Sequence, residues 1–375
     1  PIVGWQAKWA NTLRLWAAKP TRLFDLEQFN EGNYLAASEP EQLARTISRV
    51  LYPDDTTDSG KALRLKQEYF FTAASLQDIV RRFLSEGHKI ESLADHVAIQ
   101  LNDTHPAIAG PELVRLLVDD HGLAVKEAIS IASSCLNYTN HTLLPEALER
   151  WDQALFSRIL PRHYELIHQI EADHLERSGS NVKILRDGAV LMGELAFIMA
   201  NKVNGVSALH SELVKETVFR DLHQAYPDRI INQTNGVTPR RFVQLSNPGL
   251  CGLLTRVSGP EWARDLACLK ALEPLADDTG FHHEWHKMKH DAKQRLAKLL
   301  AGRSGVSVDP ESLFDIQVKR IHENKRQHHN QLHIVTLYNR IKQNSGSDLS
   351  PRTFIFGGKA APGYFMAKLI IKLVN

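Results

Sequence analysis

Three segments, each a short apolar strand running into a polar or glycine-rich loop and then a helix, constrain the fold of this chain most. In the first, Val97-Ala98-Ile99-Gln100-Leu101 leads through Asn102-Asp103-Thr104-His105-Pro106 to a helix with Pro111 in its first turn. In the second, Phe314, Ile316 and Val318 alternate with Asp315 and Gln317 at strand period. The basic run Lys319-Arg320-Ile321-His322-Glu323-Asn324-Lys325-Arg326 follows, and Ile334, Leu337, Tyr338 and Ile341 then recur at helical spacing. The third passes from Thr353-Phe354-Ile355-Phe356 through Gly357-Gly358-Lys359-Ala360-Ala361-Pro362-Gly363 to an apolar helical pattern over 366–374. Repeated βα units imply an α/β fold with parallel sheets flanked by helices and ligands at the carboxyl ends of the strands.

Helical patterns fill the intervals: 66–84, 126–136, 145–175 with an interruption at Pro161, 188–202, 207–226, and a charged stretch over 261–300. A length of 375 residues with 43% hydrophobic content is enough for two cores. The longest apolar stretch, 189–200, is too short for a bilayer span and carries Glu194, and no charged-then-apolar leader opens the chain. Cys135, Cys251 and Cys268 are too few and too scattered for a disulfide framework or a cysteine zinc site. A cytoplasmic protein with no membrane partner is expected. Because the chain opens at Pro1 and ends inside a helical pattern, truncation at both ends is also expected.

The basic run is the strongest chemical signal. A strand that ends in cations and feeds a helix N-terminus gathers side-chain charge, unpaired backbone N–H groups and the positive end of a helix dipole. That is a clamp for phosphate. A solvated helix face or nucleic-acid patch is the bland alternative, but 45 Lys+Arg against 43 Asp+Glu leave a net charge of only +2, so the cations are focused locally. No aromatic ladder or nucleic-acid module accompanies them, and no nucleic-acid partner is expected.

Other patterns weigh less. Gly357-Gly358-Lys359 lets backbone N–H groups approach an anion, yet it lacks the P-loop spacing and the Ser/Thr after Lys. His282, His286 and His290 stack along one helix face; with no second ligand cluster they read as solvated rather than metal-binding, as do His329 and His333. Asn102-Asp103-Thr104-His105 and Thr139-Asn140-His141-Thr142 offer the amide, carboxylate and imidazole groups that sugar hydroxyls need, although capping by Asp103, Thr104 or Thr142 explains each singly.

Taken together, the chain resembles the glycogen (α-glucan) phosphorylase family over nearly its whole length. The likeness rests on Asn11-Thr12-Leu13-Arg14-Leu15-Trp16, Arg64-Leu65-Lys66-Gln67-Glu68-Tyr69-Phe70, Gln100 to Pro106 and Tyr138 to Thr142. It continues through Val203-Asn204-Gly205-Val206, Thr234-Asn235-Gly236-Val237-Thr238-Pro239-Arg240-Arg241, the basic run, and Gly357 to Tyr364.

The resemblance implies a GT-B type glycosyltransferase fold of two Rossmann-like lobes, divided here into 1–235 and 236–375. It implies phosphorolysis: phosphate cleaves the terminal glucose of an α-1,4-glucan to give α-glucose 1-phosphate with retention. Pyridoxal 5′-phosphate is the implied cofactor, acting through its phosphate, and a homodimer the implied assembly. By match to the family motifs, Arg320 grips the substrate phosphate, Lys325 adds charge, and Lys319 contacts the cofactor phosphate. His141 lies against the glucosyl unit and Asn235 bonds the same sugar; Asp103 and His105 face the acceptor side, and Asp55 sits on a mobile gate.

Asn324 stands where the family usually has Tyr, the cofactor-bearing lysine matches no position of this chain, and this segment alone is expected to be inactive. Arg81-Arg82 matches a nucleotide-phosphate pair of regulated relatives but reads as a surface helix pair. The competing functions are a nucleotide-sugar glucosyltransferase of the same fold and a non-catalytic glucan-binding module.

Overall fold

The computed structural model describes residues 8–21, 24–144, 148–344 and 349–375. The chain forms two compact units: Leu15–Asn235, and Gly236–Asn375 together with residues 8–14. Position 145, where a helix pattern was read to begin, lies outside the described residues.

In the first unit the strands follow in chain order as β1 (Ile99–Asn102), β2 (Leu136–Thr139), β3 (Arg150–Asp152), β4 (Leu185–Arg186), β5 (Ala189–Leu191), β6 (Lys202–Gly205) and β7 (Ile230–Asn232). β1, β2, β6 and β7 make a parallel sheet in the order β1-β2-β6-β7, while β3, β5 and β4 form a small antiparallel one. In register, Asn102 pairs with Thr139, Thr139 with Asn204, and Gly205 with Asn232, so the carboxyl ends of the parallel strands lie in one row. Leu101, Leu136, Tyr138, Val203 and Ile230 bury one continuous core against Leu113, Leu117, Ile129, Phe156, Ile167, Phe197 and Phe219. A sheet covered this way reads as apolar runs rather than strict alternation.

Several boundaries follow from local chemistry. Thr57 caps the helix Asp58–Ser85 by accepting the Gly60 N–H at 3.1 Å. Gly60 is required there, because a Cβ would lie 1.8 Å from the Asp54 carbonyl oxygen that folds over the helix start. Pro161 ends one helix, Gln153–Ile159, and opens the next, Pro161–Ser178, from its first position, where its missing N–H costs nothing. The apolar stretch 188–202 is not one helix: it begins as β5, continues as Met192–Ile198 and ends in β6. The pattern over 207–226 divides into Ala208–Glu216 and Arg220–Ala225. The stretch over 261–300 starts in 3-10 turns and becomes the helix Thr279–Ser304.

In the second unit, β8 (Leu313–Val318) and β9 (Arg352–Gly357) pair in parallel, with Val318 opposite Gly357. Each is followed by a loop and a helix, Gln327–Gln343 and Phe365–Val374. Ile321, Ala367 and Ile370 form the small core beneath the two loops. Among the described residues no helix is long and apolar enough to cross a membrane.

Candidate active site

Two loop clusters carry the residues singled out in the sequence, one in each unit. In the first unit they lie at the carboxyl ends of the parallel strands. Asp103 leaves β1 in the left-handed region, φ +72°, donates its N–H to the Thr139 carbonyl at 3.1 Å, and accepts the Thr104 N–H at 2.8 Å. This bond to the next residue holds the loop locally, and the following helix, Ala109–Arg115, starts without a side-chain cap. His141 leaves β2 exposed, with Nε2 2.6 Å from Asn102 Oδ1. Asn140, fully buried, holds that turn. Its N–H donates to the Asn204 carbonyl at 3.0 Å, its Nδ2 to the Tyr138 hydroxyl at 3.1 Å, and its Oδ1 accepts the Thr142 N–H at 3.1 Å. Asn235, exposed beyond β7, is pinned through its N–H to the Val206 carbonyl at 2.9 Å.

Beside this row lies a charge network that the sequence reading did not contain. Arg64, on the helix Asp58–Ser85, reaches Asp55 Oδ2 and Glu149 Oε1 at 2.5 Å each and Glu68 Oε1 at 3.4 Å. His105 Nδ1 completes an ion-paired group, 3.7 Å from Glu149 and 3.8 Å from Glu68. Both glutamates are more than nine-tenths buried, and each keeps an Oε2 without a hydrogen-bond partner among the described residues. The neighbouring Glu149 and Glu68 carboxyls push the His105 imidazole up to about 10, and burial beside Glu149 pushes the Glu68 carboxyl up to about 8. At neutral pH His105 is a cation, and burial beside Glu149 favours the protonated form of Glu68. A cavity of about 180 Å³ lined by Leu51, Tyr52, Phe71 and Pro106 opens onto Arg64, Glu68 and His105.

In the second unit the basic run leaves β8 and folds over the end of β9. The Lys319 N–H donates to the Gly357 carbonyl at 3.0 Å and the Ile321 N–H to the Lys359 carbonyl at 3.2 Å. Gly358 presses against this turn so closely that a Cβ would sit 2.2 Å from the Lys319 carbonyl oxygen. Gln327, fully buried, donates to the Arg320 carbonyl at 3.0 Å, and Gln317 donates to the Lys325 carbonyl at 2.9 Å. Arg326 adopts φ +61°, which starts the following helix abruptly. With the backbone fixed, Lys319, Arg320 and Lys325 stand exposed, and among the described residues none is drawn into an ion pair with a carboxylate. Three cations without carboxylate partners among the described residues, on a turn held by backbone hydrogen bonds, are suited to a phosphate ligand.

Of His282, His286 and His290 along the helix Thr279–Ser304, two have local partners and His286 is exposed. His282 lies 2.6 Å from the Ala276 carbonyl, and His290 lies between Glu311 at 3.0 Å and Gln294 at 2.7 Å. Arg81 and Arg82 both pair with Asp78 on their own helix.

A family model described as carbohydrate phosphorylase matches residues 1–375. The chain belongs to the carbohydrate phosphorylase family. It is 47% identical to the glycogen phosphorylase of Synechocystis sp. over all of this chain and 46% of the relative. It is also 47% identical to that of Chlamydia trachomatis, covering 48% of it, and 46% identical to the human brain form of glycogen phosphorylase, covering 47%. The chain thus spans about half the length of the curated relatives it matches.

Within this family frame, sequence patterns found the loops but not what holds them. The Asn140 amide, expected among groups for sugar hydroxyls, is instead fully buried and spent on its own turn, while Gln327, just past the basic run, was missed although a polar side chain beside a motif is a usable signal. Glu149 had none: it meets Arg64 across 85 positions, and no local pattern announces that contact.

Proposed function

We propose that the protein containing this chain is an α-1,4-glucan phosphorylase. Phosphate attacks the terminal glucose of glycogen or maltodextrin, and α-glucose 1-phosphate leaves with retained configuration. The observation that carries this reading is the exposed triad Lys319, Arg320 and Lys325, fixed by Gly358 and Gln327, in a chain nearly half identical to glycogen phosphorylases. Residues 1–235 and 236–375 then belong to the two lobes of a GT-B type fold, and the protein works as a cytoplasmic homodimer.

Pyridoxal 5′-phosphate is the cofactor this reading requires, and the donor set fits it: a lysine amine and a glycine-lined turn at the end of a parallel strand pair suit a phosphate. Lys319 would hold that phosphate, and when bound the cofactor supplies an acid–base group. Two phosphates about 4 Å apart repel by about 4 kcal/mol per unit-charge pair at an effective dielectric of 20. Arg320 offsets that repulsion with a planar bidentate fork, and Lys325 with a point charge. His141 and Asn235 orient the glucosyl unit; Asp103 and His105 line the acceptor side, and Asp55 belongs to the gate.

Supplying the full-length protein with maltodextrin and phosphate, or with a nucleotide-glucose donor, tests the reading. Glucose 1-phosphate from the first mixture supports it. Turnover of the second alone, or glucan binding with no turnover after pyridoxal phosphate is added, rejects it.

A further inference from the structure

His210 stands just past β6, at the start of the helix Ala208–Glu216. Its backbone N–H donates to the capping Ser207 hydroxyl at 3.1 Å, and its Nδ1 accepts the Val206 N–H at 3.2 Å. An Nδ1 that accepts leaves the ring proton on Nε2. That Nε2 is shut off from solvent and has no partner among the described residues. Burial, reinforced by nearby His141, holds the imidazole below its ordinary value, so it is a neutral donor at pH 7. Buried donors are almost always paired, so this one marks a missing acceptor.

The ring is placed by the backbone around it. A Cβ on Gly205 would lie 2.9 Å from His210 Nδ1 and 2.4 Å from Ser211 Oγ, so only glycine lets the helix seat against the end of β6. Val206, which fixes the tautomer with its N–H, accepts the Asn235 N–H with its carbonyl at 2.9 Å. Two residues earlier the Asn204 carbonyl takes the Asn140 N–H at 3.0 Å, next to His141. One short stretch of β6 and its loop therefore registers His210, Asn235 and the His141 turn against one another.

We propose that His210 is a further substrate-binding residue, its Nε2–H donating to a hydroxyl oxygen of the glucosyl unit. The assignment rests on the phosphorylase reading for the identity of the sugar. A hydroxyl suits this edge better than a phosphate does. The groups gathered here are amides and imidazoles, each able to pair with a hydroxyl, whereas the unpaired cations a phosphate needs lie on the Lys319–Lys325 turn.

The test uses the full-length holoenzyme with glucose and the monodeoxyglucoses as calorimetric titrants, comparing wild type, His210→Leu and His210→Gln. Loss of one neutral hydrogen bond should weaken glucose about 3- to 10-fold in His210→Leu. The one monodeoxyglucose that lacks the accepting hydroxyl should bind both proteins equally, and His210→Gln, whose amide nitrogen reaches the Nε2 position, should recover most of the loss. Equal weakening across every monodeoxyglucose, or unchanged glucose binding in a folded His210→Leu, overturns the proposal. Wild-type protein that binds glucose yet forms no glucose 1-phosphate from maltodextrin removes the phosphorylase reading, while the same titrations still decide the role of His210.

Discussion

Arg64 and Glu149 meet across 85 positions of sequence, Nη2 to Oε1 at 2.5 Å, and the same guanidinium holds Asp55 with its other nitrogen. One residue thus ties the Asp55 turn to a buried carboxylate beside His105. Replacing Arg64 with Met leaves buried Glu149 with His105, 3.7 Å away, in place of the guanidinium it touches at 2.5 Å. Breaking such a pair costs about 3 kcal/mol of folding stability. Urea unfolding of Arg64→Met measures this loss, and adding Glu149→Gln should restore a large part of it. A single variant as stable as the wild type would mean that the pair contributes nothing.

Glu68 gives a pH signature. Its carboxyl ordinarily titrates at 4.5 and is raised to about 8 here, first by burial and then by Glu149. Between those values the unfolded chain has released the proton and the folded one retains it. The stabilisation is therefore complete below about 4.5 and is lost as pH rises towards 8. Wild type should lose stability relative to Glu68→Gln by about 1.4 kcal/mol per pH unit at the steepest part of that window. Parallel curves for the two proteins in stability-against-pH measurements would contradict this. His105, raised from 6.5 to about 10, acts at higher pH, with its contribution complete below 6.5 and lost as pH climbs towards 10.

Gly358→Ala probes the seating of the basic turn. The new Cβ would fall 2.2 Å from a backbone oxygen, which cannot swing aside as a side-chain tip can. Overpacking of this kind costs about 1–3 kcal/mol. In the full-length protein it should also raise the KM for phosphate more than that for maltodextrin. Equal effects on both substrates would mean that the turn does not present the phosphate-binding cations.

How much of this was legible in the sequence depended on the range of the interaction. β8 was readable because Phe314, Ile316 and Val318 alternate with polar residues, and β9 because turn-forming glycines bound it. Residues 188–202 read as one helix because the continuous apolar run within them has no period to separate buried strand from buried helix. Pro161 was a correct break signal, since its ring fixes where one helix must stop and the next can start. The Arg64, Glu68, His105 and Glu149 network was illegible, because it is assembled by the packing of separate segments. Its members individually look like ordinary helix and loop charges.

The central claim is that the cations of the Lys319–Lys325 turn stabilise phosphate in the transition state. Removing one fixed charge from such a site costs about 3 kcal/mol, or roughly a hundredfold in rate. The most direct measurement is kcat/KM for phosphate during maltodextrin phosphorolysis by the full-length protein carrying Arg320→Ala. The account predicts a fall of about a hundredfold with unchanged folding stability, deepened further by Lys325→Ala. Formation of glucose 1-phosphate at the wild-type rate by the double variant would contradict it.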